Sequence, residues 1–135
     1  MPDINFLKYS LDPYLNEYGN TYIGYEHFIH KGSLIDDDLS ISEDVAMIYY
    51  KMDSQDIINL LKLINLNDNQ LTTLISLTLS IGIVTFRNSY LFSLLKKGKL
   101  KEAANQIKIY NKVNGIINQT LIERRLIEFN KFNSI

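Results

Sequence analysis

Residues 69–86 carry no charged side chain, and no other feature limits the possible folds of this chain as tightly. Thr72, Thr73, Ser76, Thr78, Ser80 and Gly82 dilute the stretch. A membrane-spanning helix is more uniformly apolar over about 20 residues. In a soluble domain, a helix that is apolar nearly all round is the central one, with the remaining elements packed about it. The stretch therefore predicts a core helix over 69–81 and no stable membrane insertion.

The rest of the chain can supply the layers that such a helix needs. A length of 135 residues with 46% apolar side chains is enough for a self-contained core and fits a single domain over 1–135. The net charge of -1 argues against a nucleic-acid partner, because phosphate affinity needs an excess of Lys and Arg. With no cysteine there is neither a disulfide framework nor thiolate chemistry. The opening residues Met1, Pro2, Asp3, Ile4 and Asn5 have no basic n-region and no apolar h-region, so no secretory signal is expected.

Local patterns place the elements. Residues 3–11 suit a short helix. Residues 12–32 suit a small antiparallel sheet, with Tyr and Ile alternating with polar residues and Gly19, Gly24 and Gly32 at turns. The acidic run 36–38 reads as a polar loop. Ser42, followed by Glu43 and Asp44, is a helix start in which a hydroxyl caps free amides and acids face the positive end of the dipole. The helix that follows, 42–66, has two apolar sets, Val45, Ile48, Tyr49 and Met52, then Ile57, Leu60, Leu61 and Ile64. They fall out of phase near Asp53 and Ser54, as in one helix serving two cores. Asp68 can cap the next helix, and further helices are predicted at about 89–97, 99–110 and 119–132, punctuated by Gly98 and Gly115.

The stretch 14–27 carries the functional argument. Leu11, Tyr14, Gly19, Ile23, Gly24, Tyr25 and His27 follow the outline E-G-x-x-L-x-x-Y-x-D-x-x-G-x-x-T-I-G-Y-G-H of the active-site hairpin in phage-type lysozymes (glycoside hydrolase family 24), which the chain resembles. The resemblance continues through Leu74 to Gly82, Phe86, Ser89, Leu91, Leu94, Leu95, Gly98, Ala103 and Ala104. It reaches Tyr110 to Gly115 and then Thr120, Arg124, Arg125 and Glu128, where the family reads G-L-x-x-R-R-x-x-E. It thus covers nearly the whole chain, at compatible spacing throughout. It implies an α+β, predominantly helical fold, in which a hairpin lobe at about 12–32 is joined by the linking helix at about 42–66 to a helical lobe at about 67–135. Arg124 and Arg125 would include one structural ion pair or carbonyl contact across to the hairpin lobe.

In that family a Glu, an Asp and a Thr surround the scissile sugar bond. Here the Asp position holds Asn16 and the Thr position holds Tyr22. The Glu position falls on Leu7, or on Ser10 if a short gap is allowed. Glycoside hydrolysis ordinarily needs one protonated carboxyl and one ionised carboxylate. An amide supplies neither, and Tyr22 would fill space meant for substrate. The other candidate acids in the hairpin lobe are Asp12, Glu17 and Glu26, ahead of Asp3; Glu26 replaces a Gly beside His27 and is the first fallback, with Glu17 second. Successive strand residues point to opposite faces, so Glu17 should face away from a cleft.

Tyr14, Tyr22, Tyr25 and His27 are the cleft candidates, and Tyr9 and Tyr18 add to an aromatic hairpin suited to half-buried packing or to stacking on sugar rings. His27 and His30 with the 36–38 acids do not form a converging ligand set, so neither metal nor cofactor is expected. Lys96, Lys97, Lys99 and Lys101 around Gly98 read as a solvated turn. The expected protein is a lysozyme-like structural or binding component with a degenerate site, virion-associated or cytoplasmic, whose partner is a larger protein assembly or a peptidoglycan-like glycan. A divergent muramidase using relocated acids and a glycan or muropeptide binder are the alternatives.

Overall fold

The computed structural model describes residues 7–33 and 39–134; the expectations for residues 3–6 and 36–38 lie outside them. The chain divides into two compact units, Asp3–Asp56 and Ile57–Ile135 together with Met1–Pro2.

In the first unit β1 (Ser10–Leu15), β2 (Thr21–Gly24) and β3 (His27–His30) form an antiparallel sheet in the order β1-β2-β3. The sheet falls where strand alternation predicts it. The helix expected over 3–11 does not reach Ser10, and residues 7–9 are not helical. Pro13 holds the residue before it extended, which suits a strand rather than a helix at that point of β1. The register of β1 against β2 shifts between Ser10 and Tyr14, and such an irregularity accommodates a proline within a strand.

The helix α1 (Glu43–Leu61) starts as expected, with Ser42 Oγ accepting from the Val45 N–H at 3.2 Å. Its burial corrects the two-set reading. Ala46, Tyr50, Ser54, Ile57 and Leu61 are all at most 2% exposed, at spacings that keep them on one face. Ile48 and Met52, assigned to the core from the sequence, are 53% and 59% exposed. The buried stripe runs through small Ala46 and Ser54, which a hydrophobicity pattern overlooks. At Ala46 the small side chain has a direct use. A Cβ on Gly24 would lie 3.2 Å from the Ala46 Cβ, and Gly24 has φ +62°, so β2 approaches α1 closely only with glycine there. The helix stops at Leu61 rather than 66, where the Ile64 N–H bonds the Leu61 carbonyl at 2.9 Å.

The second unit is built on α2 (Asp68–Ile81), in which every residue from Thr72 to Ser80 is buried. This is the predicted core helix, and among the described residues no helix is long and apolar enough to cross a membrane. Its cap is Asn67 and not Asp68: Asn67 accepts from the Gln70 N–H at 2.8 Å while the Gln70 side chain accepts from the Asn67 N–H at 2.9 Å, a reciprocal capping box. Around it lie α3 (Ile83–Arg87), α4 (Tyr90–Lys96), α5 (Leu100–Ile107) and α6 (Gln119–Phe132). Ser89 and Asn118 cap α4 and α6. The helix expected to run to 110 ends at Ile107, and α3 was not foreseen. Nor was the hairpin of β4 (Lys112–Val113) and β5 (Ile116–Ile117), although its turn, Asn114 at φ 50° and Gly115 at φ 79°, is the usual two-residue hairpin dipeptide.

The strongest polar contacts bind α6 to α2. Glu128 is fully buried. Its carboxylate accepts from Arg125 Nη1 at 2.6 Å, from Ser76 Oγ at 2.6 Å and from Arg124 Nε at 3.3 Å. Arg125, 1% exposed, also donates to the Tyr110 carbonyl at 2.8 Å and to Ser80 Oγ at 2.7 Å. Arg124 donates to the Ser76 carbonyl at 2.9 Å. Both arginines make contacts inside the helical unit. Charges removed from water need this degree of satisfaction, because each carries a desolvation cost of several kcal/mol.

Two outcomes follow for chemical denaturation. Glu128→Ala should cost about 3–5 kcal/mol by leaving buried cations uncompensated, while Glu123→Ala on the exposed side of α6 should stay within about 0.5 kcal/mol. Leu61→Ala should cost about 2–5 kcal/mol, while Ile48→Ala and Asp56→Ala should cost little. An Ile48 effect equal to that of Leu61 would restore the two-set reading of α1.

Candidate active site

The loop between β1 and β2 is organised by Asn16. Its side-chain Oδ1 accepts from the Tyr18 and Asn20 N–H groups, each at 3.1 Å. Its backbone carbonyl accepts from Gly19 and its N–H donates to the Asn20 carbonyl, both at 3.0 Å. An Asn oxygen that accepts from nearby backbone amides closes a turn locally. The residue is 8% exposed. Asn20 extends the brace, accepting from the Gly32 N–H at 3.0 Å, and Thr21 Oγ1 donates to the Gly32 carbonyl at 2.7 Å.

Tyr22 stands opposite Tyr14 on β1 and Phe28 on β3. Its ring is 6.4 Å from Tyr14 and 5.8 Å, edge-on, from Phe28, within the range in which aromatic pairs attract. At 4% exposure it is part of the sheet's packing. Leu7 is half-buried, and Ser10, paired with Gly24, accepts from the Asp12 N–H at 3.1 Å.

The nearby acids are held in several different ways. Glu17 pairs with Lys8 at 3.3 Å. Asp12 accepts from Ser40 Oγ at 2.5 Å. Glu26 is 3% exposed, and its backbone N–H donates to Tyr14 Oη at 3.1 Å. It sits in the turn between β2 and β3 at φ 56°, where a side chain costs about 1–2 kcal/mol relative to glycine. Tyr25 in the same turn stacks on Tyr9 at 4.4 Å and meets Tyr50 at 5.7 Å. Partial desolvation, then the Glu43 carboxylate and Tyr25, raise the Tyr9 hydroxyl above its usual pKa, so it stays a neutral phenol at pH 7.

His27 is drawn to α1 rather than to Glu26. Its Nδ1 lies 2.7 Å from Asp53 Oδ2, and its ring stacks on Tyr49 at 4.2 Å. Sequence reasoning missed both partners, since nothing local links residues so far apart in the chain. With Ile23, Phe28, Ile29, Ile41 and Tyr49, His27 lines an open groove of about 320 Å³ in the sheet unit. Among the described residues no group of three or more His, Cys, Asp or Glu could hold a metal ion. Glycosidase chemistry needs one carboxyl in hydrogen-bond reach of the leaving oxygen and another across the sugar. Leu7, Ser10, Asn16 and Tyr22 contribute no carboxyl to such a pair.

The model of the phage lysozyme family matches residues 5–128. An endolysin of Bacillus phage PZA is 34% identical over 71 residues, which is 53% of this chain and only 28% of that endolysin. Among solved structures, the muramidase domain of SpmX from Asticaccaulis excentricus superposes with a TM-score of 0.71 at 23% identity, covering 96% of this chain and 90% of that one. An endolysin from the Escherichia coli O157:H7 phage FAHEc1 gives 0.72 at 22% identity, covering 97% and 87%. These two similarities establish a shared α+β fold, mostly helical with a small antiparallel sheet, and with a family match over almost the whole sequence the chain belongs to the phage lysozymes.

Proposed function

We propose that this chain is a lysozyme-like domain whose hydrolase site is degenerate, and that it acts as a non-catalytic structural or binding component of a larger assembly. The observation that carries the reading is the engagement of Asn16: its side-chain oxygen is taken up by two backbone amides where the family outline has a catalytic Asp. Tyr22 supports it, since a ring buried between strand neighbours replaces the small hydroxyl that the outline requires. In this reading the family's two-lobe plan is retained as a packing module, with α1 as the linking helix, and its partner is a protein of the assembly or a peptidoglycan-like glycan.

One observation favours a second reading, a divergent muramidase with relocated acids. Glu26 combines a buried carboxyl with a left-handed backbone, and strain of that kind collects at functional sites. Against this stands its low exposure, which limits contact with a polymeric substrate.

The purified protein should neither lyse chloroform-treated Gram-negative cells nor release reducing ends from peptidoglycan above a buffer control. Each lost acid-base group is worth about 10² to 10⁴ in rate. Turnover with a bell-shaped pH profile, abolished in Glu26→Gln, would establish the second reading instead.

Tyr22→Thr should lower stability by about 2 kcal/mol, through exposure of the apolar area that the ring covers. Leu7→Glu combined with Asn16→Asp and Tyr22→Thr should still fall far short of family-level lysis, because reacting groups must be positioned as well as present. A thermally neutral Tyr22→Thr together with a lytic triple variant would contradict the degenerate-site reading.

A further inference from the structure

The near-neutral total charge conceals a strong separation. Asp3–Asp56 holds 11 acids and three cations, a balance of -8, whereas Ile57–Ile135 holds 11 cations and four acids, a balance of +7. Opposed fields of this size steer association between complementary faces. Each unit also exposes apolar surface beside its charge.

On the acidic unit, α1 presents Asp44, Ile48, Met52 and Asp56 at intervals of four residues, all exposed. Side chains so spaced form one continuous stripe, here an aliphatic pair flanked by a carboxylate at each end. On the basic unit, an open groove of about 280 Å³ with a mixed aliphatic and polar lining is formed by Leu63, Ile64, Asn65, Leu95, Lys96, Gly98 and Leu100. Leu63 on its rim is 93% exposed. Lys96 lines the groove, and the exposed Lys97, Lys99 and Lys101, adjacent in sequence to the lining residues Lys96, Gly98 and Leu100, add positive charge to the same turn. Between residues 57 and 122 the only acids are Asp68 and Glu102.

We propose that copies of this chain associate head to tail, the α1 stripe of one seating Ile48 and Met52 in the lysine-rimmed groove of the next. Asp44 and Asp56 then face the rim ammonium groups, in the manner of an amphipathic helix laid into a groove. The two surfaces differ, so the contact is heterologous and propagates into a ring or filament rather than stopping at a two-fold dimer. Nothing in this inference depends on the hydrolase site, so its failure would leave the reading of that site untouched.

Sedimentation velocity over a concentration series tests it. At low ionic strength the weight-average mass should rise past that of a dimer, and it should return to the monomer at about 1 M salt, where the Debye length is about 3 Å. Lys97→Glu with Lys99→Glu should weaken association about tenfold or more, because it sets like charges against the stripe. Lys108→Glu with Lys112→Glu, which changes net charge equally away from the groove, should leave association as in the parent. Asp44→Lys with Asp56→Lys should also dissociate the protein, as should Met52→Lys, which spares the first turn of α1. An equimolar mixture of the groove and stripe variants should regain association, because each still supplies one native face. A chain that stays monomeric at every salt and concentration would overturn the proposal, as would groove variants that associate like the parent.

Discussion

Glu128 holds the helical unit together. Its buried carboxylate brings two guanidinium groups and a serine hydroxyl to one point, and those donors come from α6 and from the centre of α2. Through Arg125 the cluster also ties down the Tyr110 carbonyl in the segment that enters the β4–β5 hairpin. An ion group like this adds little net stability compared with an apolar replacement, yet losing one member is costly. It also fixes register, since the arginines can be satisfied only when α6 lies against Ser76 and Ser80. Within the stretch buried from Thr72 to Ser80, the hydroxyls of Thr73, Ser76 and Ser80 meet α6, while that of Thr78 is buried with no hydrogen-bond partner.

In the sheet unit, two residues at positions that the family outline gives to Asp and Thr make structural contacts: Asn16 closes a turn and Tyr22 packs within the sheet. The substitutions are mutually consistent. An amide oxygen braces a turn as well as a carboxylate does, without a charge to keep solvated. A buried aromatic ring removes apolar area from water in a place where a threonine would leave room. Glu26 is the exception, a large acid at a left-handed position where glycine is the low-energy choice. His27, beside it, is engaged by Asp53 and Tyr49, which ties β3 to α1 within this unit.

Charge separation gives the chain a polarity that its total charge conceals. The acidic unit exposes Ile48 and Met52 on α1, and the basic unit exposes a groove that includes Leu63 and Lys96, so both surfaces offer apolar contact while their charges are opposite. Between complementary surfaces, electrostatic attraction orients an encounter before apolar contact completes it.

Much of this could be read in the sequence, and the portion that could has a common physical cause. The uncharged 69–86 stretch, the Ser42 cap and the glycine-punctuated strands are local signals, each set by the chemistry of neighbouring residues. Together with the ordered family matches, they determined the core helix, the small sheet and the fold class. Tertiary structure decided the rest. The face that α1 buries depends on Ala46 and Ser54, whose small side chains allow close approach and leave no mark in a hydrophobicity pattern. The cap of α2 is an exception, since Asn67 with Gln70 three residues on is itself a local pattern. The His27 contact with Asp53 and the Glu128 cluster join residues far apart in the chain. No local propensity encodes such pairs, because they exist only once packing has brought the groups together and removed the water that would otherwise have solvated them.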